Sequence, residues 1–335
     1  MNRKLHLLLF AFVLTLASVV TGNGQQRTTA TINASDPLNV LPASDGVMFV
    51  DVQRIMRDVL PRSLAGSPKM AEINAEIDRF RQRTGLDLRS FERAAVGVRF
   101  TNPSARVTKM EPVAVLMGNF NADSMVAAGR LAAKGKYRTE QYKGKTIHTF
   151  SLNENVRLLG LFNARLTDVA VVSLSSNMLA VGERESVRRT IDAGGGAAAR
   201  NAELIALATR NPNAVLGFGS NVPASATRDL DFGNAEITRS IASIRQSYGS
   251  IGTTTSGYDM TVIARTSNAQ QAKSLNDNLA AVKQFAPLLI AQLSGERAEL
   301  ARKVSDSLRI TTQGNDVQAR IEVAQTDVST LLRVF

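Results

Sequence analysis

A single histidine is the side chain in this sequence best suited to proton transfer. The chain has two histidines, His6 and His148, and His6 falls in an N-terminal stretch with the features of an export signal. Imidazole is the group whose ordinary pKa lies near neutral pH. His148, however, alternates with Phe150 and Leu152, and side chains two residues apart share one face of a strand. The pattern therefore favours a half-buried histidine with a packing role.

Composition limits nucleophilic and metal chemistry. The chain has no Cys, which excludes thiol nucleophiles, disulfides, and zinc or iron–sulfur sites that depend on Cys. One histidine outside the N-terminal stretch cannot form a metal site of several imidazoles. The sequence has no G-x-S-x-G nucleophile elbow, and Gly249–Gly252 is one residue too short to form one. The sequence therefore predicts no catalytic, cofactor-binding or metal-binding residues.

Paired carboxylates remain as the catalytic option, because glycoside hydrolysis needs only two acids at a set separation. The candidates flank the first predicted strand or lie in predicted turns: Asp45, Asp51, Asp87, Asp229 and Asp231. Carbohydrate clefts usually depend on aromatic platforms, and this chain is 5% aromatic with no Trp. Aspartates at turns usually accept hydrogen bonds from the local backbone. A glycan-acting enzyme is therefore the third hypothesis, and we expect a protein without enzymatic activity.

Basic side chains are concentrated in residues 134–145, where a single acid, Glu140, accompanies them. The basic residues are Lys134, Lys136, Arg138, Lys143 and Lys145. The whole chain has a net charge of +11, which favours anionic partners. Because the chain has only 4 Tyr and no Trp for base stacking, nucleic acid is not the expected partner. The stretch predicts a docking surface for an anionic envelope component or another envelope protein, although lysines also protect exposed strand edges.

A concentrated apolar patch supplies the alternative function. Its members are Leu288, Leu289, Ile290 and Leu293. They lie in a segment, residues 268–309, that predicts two amphipathic helices with breaks near Ala286–Pro287 and Ser294–Gly295. As a lid over a sheet, these helices would line a cavity for an acyl chain, which would make the protein an extracytoplasmic carrier of a lipid or another hydrophobic ligand. The more common use of such a face is ordinary packing of helix on sheet.

The N-terminus indicates where these surfaces would act. Arg3 and Lys4 precede an apolar run, Leu7–Val20, and small or polar residues follow around Gly22 and Gly24. This is the order of a cleavable secretory signal peptide. Fourteen helical residues span roughly 21 Å, less than the roughly 30 Å of a bilayer core, so an uncleaved membrane anchor is not favoured. The sequence predicts an extracytoplasmic protein, periplasmic or secreted, whose mature chain keeps 38 basic and 29 acidic residues.

The remaining chain predicts an α+β fold of two tandem modules. A signal peptide at residues 1–24 precedes a polar, flexible leader at residues 25–40. From residue 41, strand-length apolar runs alternate with segments of helical period. A Gly/Ala-rich change in composition indicates a linker at residues 194–200, between a first module at residues 41–193 and a second at residues 201–335. Each module is predicted to be a mostly antiparallel sheet covered by helices.

Local signals predict individual elements within the modules. Lys143–Gly144 predicts the turn of a hairpin over Tyr137–Leu152. Pro61 is expected to end a helix that begins at Val52, because proline cannot continue a helical hydrogen-bond ladder. The spacing of apolar residues over Ile237–Tyr248 predicts one face of a further helix.

A repeated order of elements predicts that the two modules arose by duplication. Val113–Ala122 aligns with Met260–Ala269 at a constant offset of 147 residues. Each segment is a predicted strand that ends at an asparagine cap, Asn121 or Asn268, and enters a helix. Few residues are identical, so the order of elements rather than identity carries this prediction.

Four short motifs in this order resemble uncharacterised bacterial extracytoplasmic proteins. The motifs are Leu41–Val47 leading into a strand, Thr84–Leu88 before the next strand, Asn177–Gly182 leading to a helix, and Asn268–Ala269 opening a long helix. The families that this layout resembles are secreted or membrane-tethered domains of unknown function from envelope-rich bacteria. Unlike their lipid-anchored members, this chain has no Cys. The resemblance implies an extracytoplasmic location and this style of fold, and it supplies no catalytic residues.

Together, these features predict an exported, non-enzymatic interaction or scaffold protein of the cell envelope that uses a basic surface. The alternative is a carrier of hydrophobic ligands. The two hypotheses differ in what they need, because a carrier requires an open apolar cavity and an interaction module requires only a surface patch.

Overall fold

The computed structural model describes residues 36–84, 87–104, 107–133, 135–158, 162–194, 200–223 and 234–334. The predicted signal peptide, Gly85, and residues 195–199 of the predicted linker lie outside these ranges. The described chain forms two compact units, one ending at Ile205 and the other spanning Ala206–Val334. Both combine antiparallel strands with helices, so the fold is α+β. Within the described residues, none of the helices combines the length and hydropathy needed to cross a bilayer.

Residues 36–40 are structured, although the sequence predicts that the first module begins at residue 41. A short 3-10 helix, Pro37–Val40, follows Asp36, whose side chain accepts a hydrogen bond from the Leu38 amide at 2.9 Å. Leu38 is 2% exposed and therefore belongs to the core. The predicted flexible leader, residues 25–40, is wrong for its last five residues, because the burial of Leu38 anchors them.

The N-terminal unit is built on seven described strands. They are β1 (Gly46–Asp51), β2 (Phe91–Ser104), β3 (Val107–Gly118), β4 (Tyr137–Tyr142), β5 (Lys145–Leu158), β6 (Phe162–Ser175) and β7 (Met178–Gly182). Their order across the sheet is β1-β2-β3-β7-β6-β5-β4, with antiparallel neighbours. Its helices include α1 (Pro68–Thr84), α2 (Ala122–Ala132) and α3 (Arg184–Ala193), and a further helix, α4 (Ala202–Ala208), begins in this unit and crosses the boundary after Ile205.

Helices α2 and α3 contact opposite faces of this sheet. His148 lines a pocket with α2, and Glu140 binds Arg188 of α3. Thr139 pairs with His148, and Glu140 pairs with Ile147. Because neighbouring residues of a strand point to opposite faces, the two helices lie on opposite sides of β4 and β5.

A buried asparagine attaches the start of α4 to the N-terminal unit. The Asn201 amide nitrogen donates to the carbonyl groups of Leu41 and Pro42, at 3.3 and 2.9 Å. Its amide oxygen accepts from the Ser44 backbone N–H at 3.1 Å. Asn201 is 2% exposed, so these bonds satisfy an amide that has no access to water. The division between the units consequently falls after residue 205 rather than within residues 194–200.

Pro61 does not end the helix that begins at Val52. Helical turns continue from Val52–Arg54 through a π-helical turn, Ile55–Val59, to Leu60–Ser63. Pro61 stands at the start of the last of these turns, where a missing backbone N–H costs least. The preceding π-helical turn changes the hydrogen-bond register from four residues to five, which accommodates the proline.

The C-terminal unit has five described strands and helices packed on them. The strands are β8 (Ala214–Asn221), β9 (Ile244–Thr253), β10 (Gly257–Thr266), β11 (Arg309–Gln313) and β12 (Asp316–Ala324), in the order β8-β9-β10-β12-β11. The helices are α5 (Ala235–Ala242), α6 (Ala269–Ile290), α7 (Gly295–Ser307) and α8 (Gln325–Val334). Leu275 of α6, Val262 of β10 and Val317 of β12 form part of one core cluster.

The predicted helix over Ile237–Tyr248 is wrong after Ala242, because Ile244–Thr253 is strand β9. The sheet determines this outcome, since β9 pairs with β8 on one side and β10 on the other. Gly249 allows the close pairing: a Cβ there would lie 2.1 Å from the Thr261 carbonyl oxygen. The helical spacing is therefore real for Ile237 and Ile241, which lie in the helix Ala235–Ala242, and coincidental for Ile244 and Tyr248.

The predicted break at Ala286–Pro287 is also absent, because α6 continues through Pro287 to Ile290. Proline removes one backbone donor, and the ladder resumes where the Ala291 N–H donates to the Pro287 carbonyl at 2.9 Å. Ile290, which is 8% exposed, packs the last turn into the core. The second predicted break is confirmed, since α7 begins at Gly295.

The two asparagine caps are confirmed. The Asn121 side chain accepts from the Ser124 N–H at the start of α2, and Asn268 accepts from the Gln271 N–H at the start of α6. The strand orders of the units also correspond when the β4–β5 hairpin is set aside. Duplication of the modules remains a prediction.

Candidate functional site

The basic stretch folds into a hairpin at the edge of the N-terminal sheet. Strand β4 pairs with β5 from Tyr137 opposite Phe150 to Tyr142 opposite Lys145. The turn residues Lys143 and Gly144 have φ angles of 45° and 76°. A two-residue hairpin turn with left-handed conformation at both positions is type I′, so the predicted turn is confirmed.

The structure divides the predicted basic residues into two groups. Lys134 lies outside the described residues. Lys136 and Arg138 are exposed, and neither forms an ion pair with another residue in the described ranges. Lys143 and Lys145 are both engaged: the Lys143 ammonium lies 2.6 Å from Asp192, and the Lys145 ammonium donates to a backbone carbonyl in β6 at 3.0 Å.

Lys143 belongs to a group of polar side chains that we call the hairpin network: Glu140, Tyr142, Lys143, Arg188 and Asp192. The Tyr142 hydroxyl donates to the Asp192 carboxylate at 2.9 Å, and the Arg188 guanidinium lies over the Tyr142 ring, 5.3 Å from its centroid. Hydrogen bonds from Lys143 and Tyr142 hold the pKa of Asp192 below its usual value. All five side chains of the hairpin network are partly or largely exposed to solvent.

A polar pocket of about 520 Å³ lies between α2 and the start of the hairpin. We call it the His148 pocket. One face of α2 contributes Asp123, Val126, Ala127 and Arg130, and the strands and turns contribute Gly144, Lys145, Thr146, His148, Ser173, Ser175 and Ser176. It thus contains two cationic groups, one carboxylate and several hydroxyls.

His148 is buried beside this pocket, with one ring nitrogen unpaired. It is 9% exposed, which confirms its predicted burial, but its Nδ1 atom has no hydrogen-bond partner among the described residues. Burial lowers the pKa of His148, and the nearby charge of Arg130 lowers it further. The imidazole is consequently neutral at pH 7, and its Nδ1 atom is buried without a partner.

No sequence pattern singled out Arg130 or the serines of this pocket as site residues. Arg130 donates to the Tyr137 hydroxyl at 3.0 Å and lies over that ring, 5.2 Å from its centroid. The only sequence signal was the spacing of Asp123, Ala127 and Arg130, which places them on one face of a helix. That spacing does not reveal that the face meets the strand containing His148.

The predicted apolar lining does not surround a cavity in the described structure. Leu288 is 66% exposed and Leu289 is 36% exposed, whereas Ile290 is buried and Leu293 is half-buried. Phe285, which the sequence analysis did not single out, is 61% exposed. The end of α6 therefore presents apolar side chains to solvent. A second pocket, next to β11, is lined by other residues of α6 such as Lys283.

The described candidate carboxylates bind backbone groups, as expected for aspartates at turns. Asp45 accepts from the Phe100 N–H at 2.8 Å, Asp51 from the Arg54 N–H at 3.0 Å, and Asp87 from the Arg89 N–H at 3.0 Å. Asp229 and Asp231 lie outside the described residues. Within the described ranges, no cluster of three or more His, Asp or Glu side chains suits a metal ion.

The C-terminal unit contains a counterpart of the hairpin network built around a buried tyrosine, which we call the Tyr248 network: Arg210, Tyr248, Arg265 and Asp316. Tyr248 is 1% exposed, and its hydroxyl donates to Asp316 at 2.9 Å. Arg210 and Arg265 each donate to that hydroxyl at 3.1 Å. Burial, assisted by the hydrogen bond to Asp316, raises the pKa of Tyr248 to about 12.

Comparison with known proteins gives a weak structural likeness. No known protein family matches the sequence, and no curated protein matches it. Among solved structures, crystal forms III and IV of TP0453, a Treponema protein, are similar to this chain at 10% and 11% identity, each with a TM-score of 0.43. The alignments cover 90% and 91% of this chain and 98% and 99% of those chains. Crystal form I of TP0453 gives 8% identity and a TM-score of 0.42.

Proposed function

We propose that this chain is an exported, non-enzymatic protein of the cell envelope that docks on an anionic surface through the outer edge of the β4–β5 hairpin. The observation that carries the proposal is the exposure of Lys136 and Arg138, which form no ion pair with another described residue. Because Lys136 and Arg138 are exposed and unpaired in this way, their charges attract an external anion fully, whereas the charge of Lys143 is already neutralised by Asp192.

The net charge of the chain supports the same partner. After removal of the predicted signal peptide, 38 basic and 29 acidic residues leave a net charge of +9, which attracts anionic surfaces over distances longer than any single contact. Exposed basic residues at a sheet edge also prevent unwanted strand pairing, and the two roles are compatible. The alternative function, carriage of a hydrophobic ligand, has less support, because Leu288 and Leu289 are exposed rather than arranged around a cavity.

The test is sedimentation of the purified protein with vesicles of phosphatidylglycerol and phosphatidylcholine, at low and at high salt. We expect binding that salt weakens, because screening acts on exposed charges. The double variant Lys136→Gln, Arg138→Gln should lower the vesicle partition coefficient by roughly tenfold or more, since each basic residue near an anionic membrane contributes about 1 kcal/mol.

A matched control is Arg99→Gln, Arg302→Gln, which removes the same charge from exposed positions in β2 and α7. It should bind vesicles nearly as well as the unmodified protein. Equal losses in both double variants would show that overall charge, and not this hairpin edge, drives binding. Binding that is insensitive to salt would also contradict the proposal.

A further inference from the structure

The His148 pocket has the features of a binding site and is distinct from the exposed edge residues Lys136 and Arg138. Its volume of about 520 Å³ falls within the range of small-molecule sites. His148 is nine-tenths buried at the pocket, and its Nδ1 atom has no partner among the described residues. Because that atom is inaccessible to solvent, the groups that line the pocket around the imidazole are the ones available to a ligand.

The pocket offers donors for an anionic group. Arg130 donates to the Tyr137 hydroxyl, which accounts for one of its five N–H groups. Lys145 donates to the Leu174 carbonyl, which accounts for one of three. The side chains of Arg130 and Lys145 thus retain donors toward a carboxylate or phosphate. The Thr146 hydroxyl oxygen accepts from Gln141, so its own proton is another donor.

The same pocket offers acceptors for hydroxyl groups. Ser173 and Ser175 donate their hydroxyl protons to Ser175 O and Asn177 Oδ1, at 3.1 and 3.0 Å, so both hydroxyl oxygens keep lone pairs that can accept. Asp123, on the first turn of α2, adds a carboxylate to the same lining. Donors and acceptors therefore occur together, which suits a ligand with both an anionic group and hydroxyls.

Charge balance narrows the class of ligand. Arg130 and Lys145 contribute two positive charges, Asp123 contributes one negative charge, and His148 is neutral, so the lining has a net charge of +1. A dianion such as a phosphate monoester would leave one negative charge unbalanced beside Asp123, whereas a monoanion is matched.

We infer that the His148 pocket binds a small hydroxylated monoanion of the sugar-acid class. Its carboxylate lies with Arg130 and Lys145, and its hydroxyls donate to Asp123 and the serines. This inference does not depend on the proposed docking function, because the exposed edge residues take no part in it.

The first test is calorimetric titration of the purified protein with sodium glucuronate, with glucose and glucose 6-phosphate as the neutral and dianionic comparisons. We expect glucuronate to bind roughly tenfold more tightly than either, as one charge-assisted interaction requires. Since His148 is the only histidine beyond His6, selective isotope labelling of histidine gives a simple spectrum. Glucuronate should shift the Nδ1 resonance of His148.

Two variants test the placement of the ligand. Arg130→Gln, Lys145→Gln should weaken glucuronate binding by roughly tenfold or more, because it removes both cations. Ala127→Leu keeps every charge, adds bulk at an exposed helical position that lines the pocket, and should also abolish binding. The Ala127→Leu variant therefore tests ligand placement even if the double variant folds poorly.

The edge variant Lys136→Gln, Arg138→Gln is the matched control, and it should retain glucuronate binding while losing vesicle binding. Failure of one activity is thus distinguishable from failure of the other. The inference is overturned if glucuronate neither releases heat nor shifts the His148 resonance. It is also overturned if glucose 6-phosphate binds more tightly, or if Ala127→Leu leaves binding unchanged.

Discussion

The hairpin network and the Tyr248 network use the same kinds of side chain in two different environments. Each joins a tyrosine hydroxyl to an aspartate, at 2.9 Å in both cases, with an arginine over the tyrosine ring. Tyr248 is 1% exposed, however, whereas Tyr142 lies in an open strand edge with Lys143 exposed beside it. The two networks share their interactions and differ in how far the tyrosine is buried.

That difference in burial separates a network that stabilises the fold from one that is accessible to binding partners. Water competes for every partner in the hairpin network, so its ion pairs add little to the free energy of unfolding and exchange readily with outside ligands. In the Tyr248 network, the hydroxyl has no access to water and depends on Asp316, Arg265 and Arg210. The C-terminal network therefore stabilises the fold, and the hairpin remains open to partners.

Removing Asp316 should have the largest effect. Asp316→Ala leaves the Tyr248 hydroxyl without its acceptor and Arg265 without the carboxylate that it binds at 2.8 Å. We expect the free energy of unfolding to fall by about 3 kcal/mol, measured by urea denaturation. The matched change in the exposed network, Asp192→Ala, should leave the urea midpoint almost unchanged. Equal shifts would contradict the contrast between the networks.

Alkaline pH should act on the two tyrosines differently. Tyr248 has a pKa of about 12 in the folded protein and about 10 when unfolded, so the unfolded chain loses this proton first. Stability from this group is therefore complete below pH 10 and declines as pH rises toward 12, by about 2 kcal/mol in total.

The difference between the unmodified protein and Tyr248→Phe isolates this contribution, because the lysines titrate equally in both proteins. Urea denaturation across this pH range should show a smaller alkaline decline for Tyr248→Phe. The hydrogen bond to Asp192 also raises the pKa of Tyr142, but this hydroxyl is solvated, so the decline in Tyr142→Phe should stay closer to that of the unmodified protein. An unchanged decline in Tyr248→Phe would overturn the assignment.

The smallest effect on stability should come from Asp192→Asn, which releases Lys143 without deleting bulk. The hydrogen bond that keeps the pKa of Lys143 above its usual value is lost, and the hairpin edge gains one unpaired cation. We expect an unchanged urea midpoint and a severalfold increase in binding to phosphatidylglycerol vesicles. Unchanged or weaker vesicle binding would show that Lys143 does not face the docked surface.

Sequence motifs correctly predicted the turns and helix caps that depend only on neighbouring residues. Lys143–Gly144 fixes a turn through its own backbone angles, and Asn121 and Asn268 cap helices within three residues of themselves. The predictions of secondary structure were wrong where pairing with distant strands determines the conformation. The apolar spacing over Ile237–Tyr248 fits a helix, but pairing with β8 and β10 makes Ile244–Thr253 a strand.

The sequence predicted which basic residues lie in the candidate site but not which other residues they contact. The basic stretch was identified from sequence, yet the sequence did not distinguish exposed Lys136 from Lys143, which is neutralised by a carboxylate far along the chain in α3. His148 was correctly predicted to be buried. Its pocket was missed because Arg130 and Ser173 reach it from other elements.

The sequence by itself determined the charge, the α+β class, the caps and the turns, because each depends on composition or on residues a few positions apart. The tertiary structure alone decided which cations remain free and which tyrosine is buried. Tyr248 and Asp316 are separated by 68 residues, and Tyr142 and Asp192 by 50. Contacts over such distances depend on strand pairing and helix packing, which bring together residues that no local pattern relates.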